Sequence, residues 1–228
     1  MSSPLILALD VELETALDLA DKLDPNDCKL KVGSKLFTSS GPSIVSTLNN
    51  MGFDIFLDLK FYDIPNTIYG AITEACKLGV WMVNIHCLGG EEMMKSARKS
   101  IVDSEVTEKP LLVGVTILTS FDNQGARRVG IDDIEKHVNS LAKLAKDTGL
   151  DGVVCSPQEV KNLKDSFGKD FIAVTPGIRS SDSNEDQKRT MTLNEALKNG
   201  SDYLVIGRPI IQSDNPVKSI KSLLEEIH

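Results

Sequence analysis

The sequence is poor in several features that mark whole protein classes. Its four cysteines, Cys28, Cys76, Cys87 and Cys155, have no close spacing, which argues against a zinc knuckle or a redox dithiol. Free buried thiols in a reducing cytoplasm are the expectation. Three scattered histidines, His86, His137 and His228, do not make a multi-histidine metal centre. Basic charge is in deficit, with 25 Lys and Arg against 33 Asp and Glu, and the resulting formal charge of -8 speaks against a nucleic-acid or anionic-membrane surface. A small anion is still admissible, because a few cations focused in a cleft outweigh a negative exterior. No apolar run is long enough to cross a bilayer, and the one near the start, residues 5–9, is too short for a signal peptide. There is no G-x-G-x-x-G after that run, no low-complexity segment and no shift of composition that would mark a linker.

What is present is an ordinary globular composition in 228 residues, enough for one large domain with a sizeable core. Short apolar runs, expected as strands, fall at 5–9, 28–32, from 55 onward, 81–86, 111–118, 152–155, 171–174 and 203–206. Between and after them, apolar residues recur at helical spacing over 11–23, 42–51, 65–78, 90–102, 131–148, 157–167, 193–199 and 216–227. Residues 120–130 and 178–190 read as polar loops. Eight strand-helix units in this length point to a single (β/α)8 barrel over residues 1–228. A doubly wound open sheet is the alternative, and it lacks its usual glycine fingerprint.

The chain is organised around Ile55-Phe-Leu-Asp58-Leu-Lys60-Phe-Tyr-Asp63-Ile64-Pro65-Asn-Thr67. A buried strand here ends in a carboxylate, an ammonium and a second carboxylate within six positions. Asp58 and Lys60, two apart, should project to one face. Charges pointing inward cost several kcal/mol unless paired. A loop or a neighbouring subunit would bring Asp63 to the same lysine. A lysine between carboxylates keeps its proton, which suits an acid or a clamp and not a Schiff-base nucleophile. A strand-end ion-pair network that only fixes geometry would use the same residues.

In such a barrel, chemistry sits at the carboxyl ends of the strands. The polar residues there are Asp10, Lys31, Asp58 and Lys60, Asn84 and His86, Thr119 and Ser120, Ser156, Thr175 and Arg179, and Gly207-Arg208. Asn84 and His86 also fit as hydrogen-bonded layer residues, and Thr119 and Ser120 as a strand cap. Gly207-Arg208 follows the last strand, where backbone N–H groups and a bidentate cation commonly hold a phosphate; a glycine turn with a surface arginine is the plainer reading. Residues 178–190 have no apolar anchor and read as a lid, with Arg179 and Gln187 closing over the phosphate.

Asp58-x-Lys60-x-x-Asp63-Ile64-Pro65-x-Thr67 resembles the signature of the orotidine 5'-phosphate decarboxylase family. The likeness extends to Leu7-Ala-Leu-Asp10, Lys31-Val-Gly33, Leu118-Thr119-Ser120, Pro176-Gly-Ile-Arg179, Asp186-Gln187 and Ile206-Gly-Arg208. Tyr62 stands where bacterial-type members often have histidine. The resemblance implies decarboxylation of orotidine 5'-phosphate to uridine 5'-phosphate in pyrimidine (UMP) biosynthesis, with no cofactor, no metal and a protonated Lys60 as proton donor. It implies that Asp10 and Lys31 bind the ribose, Lys31 also joining the charge network. Asp58, Lys60 and Asp63 would surround the reacting carbon, with Ile64 among the substrate contacts. Asp63 and Thr67 would come from the partner of a cytoplasmic homodimer. Thr119 and Ser120 would lie near the base, the latter hydrogen-bonded to it. Arg179, Gln187, Gly207 and Arg208 would hold the phosphate and the lid.

Two other readings compete. Magnesium-dependent phosphosugar enzymes, such as 3-keto-L-gulonate 6-phosphate decarboxylase, share the D-x-K-x-x-D core, but Ile64-Pro65-Asn66-Thr67 and Lys31 favour the nucleotide enzyme. A catalytically silent phosphate-binding module is the other, and a sensor gains nothing from a buried charged triad.

Overall fold

The computed structural model describes residues 3–179 and 191–227. Eight parallel strands form a closed barrel: β1 (Leu5–Ala8), β2 (Lys29–Gly33), β3 (Ile55–Phe61), β4 (Met82–His86), β5 (Leu111–Val115), β6 (Gly152–Val154), β7 (Ile172–Pro176) and β8 (Tyr203–Ile206). Each pairs with its neighbours in sequence, and β8 closes on β1. Parallel neighbours require crossovers, and helices supply them on the outside. This is the (β/α)8 barrel expected from the alternation.

The strands are buried on both faces, which is why they read as continuous apolar runs. In β1 the side chains of Leu5 and Leu7 join the shell between strands and helices, while Ile6 and Ala8 point inward to a cluster with Phe56, Met82, Val113, Val174 and Val205. At the amino end Lys29 closes the interior. Its ammonium lies 4.9 Å from the Trp81 ring centre and 5.8 Å from that of Tyr203, and it donates to the Ser3 carbonyl at 3.2 Å. The open end is therefore the carboxyl end. All four cysteines are buried, and none is in a disulfide. Among the described residues no helix is long and apolar enough to cross a membrane.

Several local expectations differ from the structure. Ser34–Ser40 and Arg208–Ile211 are helices. Each buries a single residue, so neither carries the apolar periodicity that would reveal it. Within the expected loop 120–130, Asn123–Arg128 is helical, its start fixed by the Asp122 carboxylate accepting the Gly125 N–H at 2.7 Å. The helix expected from Pro157 begins at Val160, because the Glu159 carboxylate turns back to accept the Ser156 N–H at 2.9 Å. The expected strand 111–118 stops at Val115, and the ladder beyond β7 is a separate short pairing of Ile178–Arg179 with Met191–Thr192.

Candidate active site

At the carboxyl end a cavity of about 710 Å³ opens among the strand ends. That volume is in the range of small-molecule sites. Asp10, Lys31, Asp58, Lys60, Thr119, Gly207 and Arg208 all line it. Four of these form a chain of alternating charge. The Lys31 ammonium lies 3.0 Å from one Asp10 oxygen and 3.2 Å from Asp58 Oδ2, and Lys60 Nζ lies 2.6 Å from Asp58 Oδ1. The middle of the array is buried, with 9% of the Lys31 side chain and 12% of the Asp58 side chain exposed; Lys60, at 39%, faces the cavity.

The local backbone explains how these groups meet. Between the pairs Leu57↔Val83 and Phe61↔Ile85, β3 has three residues where β4 has one, so β3 is bulged at Asp58 to Lys60. Lys60 has φ +51°, a left-handed conformation that costs a non-glycine residue about 1–3 kcal/mol and persists only where its surroundings enforce it. Asn84 on β4 enforces it. Its side-chain oxygen accepts the Lys60 N–H at 2.8 Å, and its amide donates to Asp58 Oδ1 at 2.6 Å. Asp58 and Lys60 thus do reach the same side, through a bulge and not through simple alternation.

Electrostatics follow from this packing. Burial opposes the charge on Lys31, yet Asp58 and then Asp10 outweigh it and raise its pKa above the usual lysine value. Burial likewise opposes the Asp58 carboxylate, but Lys31, Lys60 and the two hydrogen bonds hold its pKa below the usual value. For His86, burial and then the Lys60 charge push the imidazole pKa down, so it is neutral at pH 7. Both cavity carboxylates in the array, Asp10 and Asp58, are engaged by ammonium groups. Among the described residues no cluster of three or more His, Cys, Asp or Glu side chains is placed to hold a metal ion.

A model of the Orotidine 5'-phosphate decarboxylase / HUMPS family matches residues 3–223. The chain belongs to that family. A protein of Saccharophagus degradans described as orotidine 5'-phosphate decarboxylase is 50% identical over 226 residues, covering 98% of this chain and 94% of its own. One of Legionella pneumophila with the same description is 49% identical over 230 residues and covers 100% of both. The crystal structure of orotidine 5'-phosphate decarboxylase from Lactobacillus acidophilus superposes with a TM-score of 0.88 at 38% identity, covering 99% of each chain. Membership at this identity and coverage makes the chain a decarboxylase, a carboxy-lyase.

Not every expected residue of the family signature reaches the cavity within the chain. Lys60 was expected between Asp58 and an Asp63 brought by a loop or a neighbouring subunit; within the single chain Lys60 pairs with Asp58, and Asp58 sits between two ammonium groups. Asp63 does not return to Lys60, because its carboxylate accepts the adjacent Ile64 N–H at 2.6 Å and lies in an exposed stretch that includes Ile64 and Thr67. Thr119 lines the cavity, whereas Ser120 is exposed and lies outside its lining. Arg179 is described only as backbone, in the short ladder, and Gln187, with most of the expected lid, lies outside the described residues. Gly33, the last residue of the Lys31-Val-Gly33 motif, acquires a role only in the folded structure. A side chain there would place Cβ 2.8 Å from Asp10 Oδ1 and 2.9 Å from Lys31 Nζ, so the glycine makes room for that ion pair. Gly207 similarly packs on β1, where an added Cβ would lie 3.3 Å from the Ala8 Cβ. Gln212 lines the cavity without any sequence signal that distinguished it.

Proposed function

We propose that this chain converts orotidine 5'-phosphate to uridine 5'-phosphate and carbon dioxide, in pyrimidine (UMP) biosynthesis, as a cytoplasmic enzyme built of one (β/α)8 catalytic domain. The observation that carries the reading is the half-buried array Asp10–Lys31–Asp58–Lys60 at the mouth of the barrel. In a family whose full-length relatives are described as orotidine 5'-phosphate decarboxylases, that array suits a reaction that creates a carbanion with no electron sink.

In this mechanism the bond between the pyrimidine carbon and its carboxylate breaks, and the electron pair stays on the ring carbon. The Lys60 ammonium stabilises that charge and then transfers a proton to the carbon, leaving a neutral amine that solvent reprotonates. Asp58 lies beside the substrate carboxylate and destabilises it by at most about 4 kcal/mol at about 4 Å and an effective dielectric of about 20. Enzymatic barrier reductions run to about 8–23 kcal/mol, so repulsion is a minor share and the fixed ammonium, together with remote phosphate binding, supplies the larger one. Asp10 and Lys31 bind the ribose hydroxyls, Thr119 and Ser120 flank the base, and Gly207 and Arg208 hold the phosphate.

The reading includes a homodimer. Tyr62 and Ile64 are 62% and 66% exposed in the single chain, an apolar stretch contiguous with Asp63 and Thr67. A second copy docked there would cover it and supply Asp63, Ile64 and Thr67 to the neighbouring cavity.

Ultraviolet absorbance of orotidine 5'-phosphate mixed with the protein tests the proposal. Loss of the orotate chromophore with formation of uridine 5'-phosphate, unaffected by a metal chelator, is the expected result. Binding without turnover would refute it in favour of a silent module, and turnover only of phosphosugars with magnesium would move the chain to the other branch of the family.

A further inference from the structure

Asn84 is fully buried and lies outside the cavity lining, yet both atoms of its side-chain amide are committed to the reacting pair. Its oxygen accepts the Lys60 N–H at 2.8 Å, inside the β3 bulge where the ladder with β4 is interrupted. Its nitrogen donates to the same Asp58 oxygen that receives the Lys60 ammonium. A single planar amide therefore fixes the spacing between a strained backbone and the carboxylate beside it.

We propose that Asn84 is a positioning residue for the decarboxylation, setting the Lys60 ammonium and the Asp58 carboxylate in register with each other from behind the cavity. The inference rests on the function proposed above. At neutral pH the carboxamide offers a donor and an acceptor together without a titratable proton. Leucine would remove the acceptor of the Lys60 N–H and leave Asp58 Oδ1 with the Lys60 ammonium alone. Aspartate would keep the acceptor but face Asp58 with a second carboxylate at 2.6 Å, where two like charges do not both ionise and one proton is shared.

That last property separates positioning from mere packing. The charged or titratable groups facing position 84 are Asp58 and Lys60 from β3, Lys31 from β2 through Asp58, and the neutral His86 on β4 itself; β5 presents Val113 in register. In Asn84→Asp, a proton held between the two carboxylates restores the missing donor at low pH. Ionisation at higher pH drives them apart and draws Lys60 toward the extra charge.

The experiment is the pH profile of kcat and KM for wild type, Asn84→Ala and Asn84→Asp, with folding checked by circular dichroism. For Asn84→Ala, kcat should fall by about tenfold or more, the size of a lost hydrogen bond to a charged group, while KM stays within about threefold. For Asn84→Asp, kcat relative to wild type should fall by about tenfold or more between pH 5.5 and pH 8. A ratio independent of pH, or an Asn84→Ala kcat within about threefold of wild type, would overturn the proposal. Should neither variant fold, hydrogen exchange in the wild type decides: the Lys60 amide is expected to be protected like its strand neighbours, and fast exchange would overturn the assignment. A wild type that does not turn over orotidine 5'-phosphate would remove the functional reading instead, a failure visible before any variant is made.

Discussion

Replacing Asp58 by asparagine keeps the shape of the array and removes the charge at its centre. In the wild type the carboxylate receives Lys31 at 3.2 Å, Lys60 at 2.6 Å and the Asn84 amide at 2.6 Å. Lys60 is partly exposed and can turn to water, where its pairing was already screened. Lys31 cannot, and after the substitution Asp10, at 3.0 Å, is its one remaining counterion in the array. Stranding a buried charge costs about 3–5 kcal/mol, and the surviving Asp10 contact places Asp58→Asn at about 3 kcal/mol, the low end. For a chain of this size that is a fall in Tm of about 6–12 °C. The assay is thermal unfolding by circular dichroism across pH. Because Asp58 has a folded pKa below its unfolded value of about 3.9, its stabilisation is present above that value and is lost as pH falls through the folded pKa. Lys31, with its pKa raised, contributes fully below about pH 10.4 and loses that contribution as pH rises through the folded value. The gap between wild type and variant should therefore be flat from about pH 5 to about pH 9 and close on the acid side, where the wild-type carboxyl also becomes neutral. A variant that melts within about 2 °C of wild type at pH 7 would refute the reasoning, because desolvation of Asp58 would then have cancelled its pairing.

Three other substitutions test separate parts of the site. Lys60→Ala should leave the fold intact by circular dichroism and abolish decarboxylation; substantial residual turnover would remove Lys60 as the proton donor. Arg208→Ala should weaken binding of the phosphate ester by roughly tenfold or more while leaving the free nucleoside nearly unchanged, and equal losses in calorimetric titration would sink the phosphate assignment. Gly33→Ala puts a methyl group within 2.9 Å of both Asp10 and Lys31, so the pair must part. Its KM should rise with a smaller change in kcat if Asp10 and Lys31 bind ribose, and unchanged kinetics would show that the pair has room to spare.

The charge array bears on how a strained lysine is maintained. A left-handed backbone at Lys60 is unfavourable by itself, and the bulge around it breaks the β3–β4 ladder. The compensation comes from the buried amide of Asn84 and from ion pairing to Asp58, both local to the reacting groups. Strain and charge are thus held by the same few contacts, which ties stability and chemistry together at this point of the fold.

Much of this arrangement was legible in the residues alone. The alternation of short apolar runs with amphipathic stretches dictated a closed parallel barrel, because strands buried on both faces and joined by helices have few other ways to pack. That architecture singled out the carboxyl ends of the strands, and hence Asp10, Lys31, Asp58, Lys60, Thr119 and Gly207-Arg208, which do share one cavity. Sequence spacing was silent on the bulge, since a two-residue offset looks the same in a regular strand as in a distorted one. It did not anticipate that within one chain Asp58 is flanked by both Lys31 and Lys60, because the distance from Lys31 on β2 to Asp58 on β3 depends on barrel register and curvature, not on position along the chain. Asn84 could be read as a layer residue but not as the clamp of a neighbouring strand, and the space that Gly33 leaves for an ion pair has no trace in local pattern. Those features belong to groups far apart in sequence that only closure of the barrel brings within hydrogen-bonding distance.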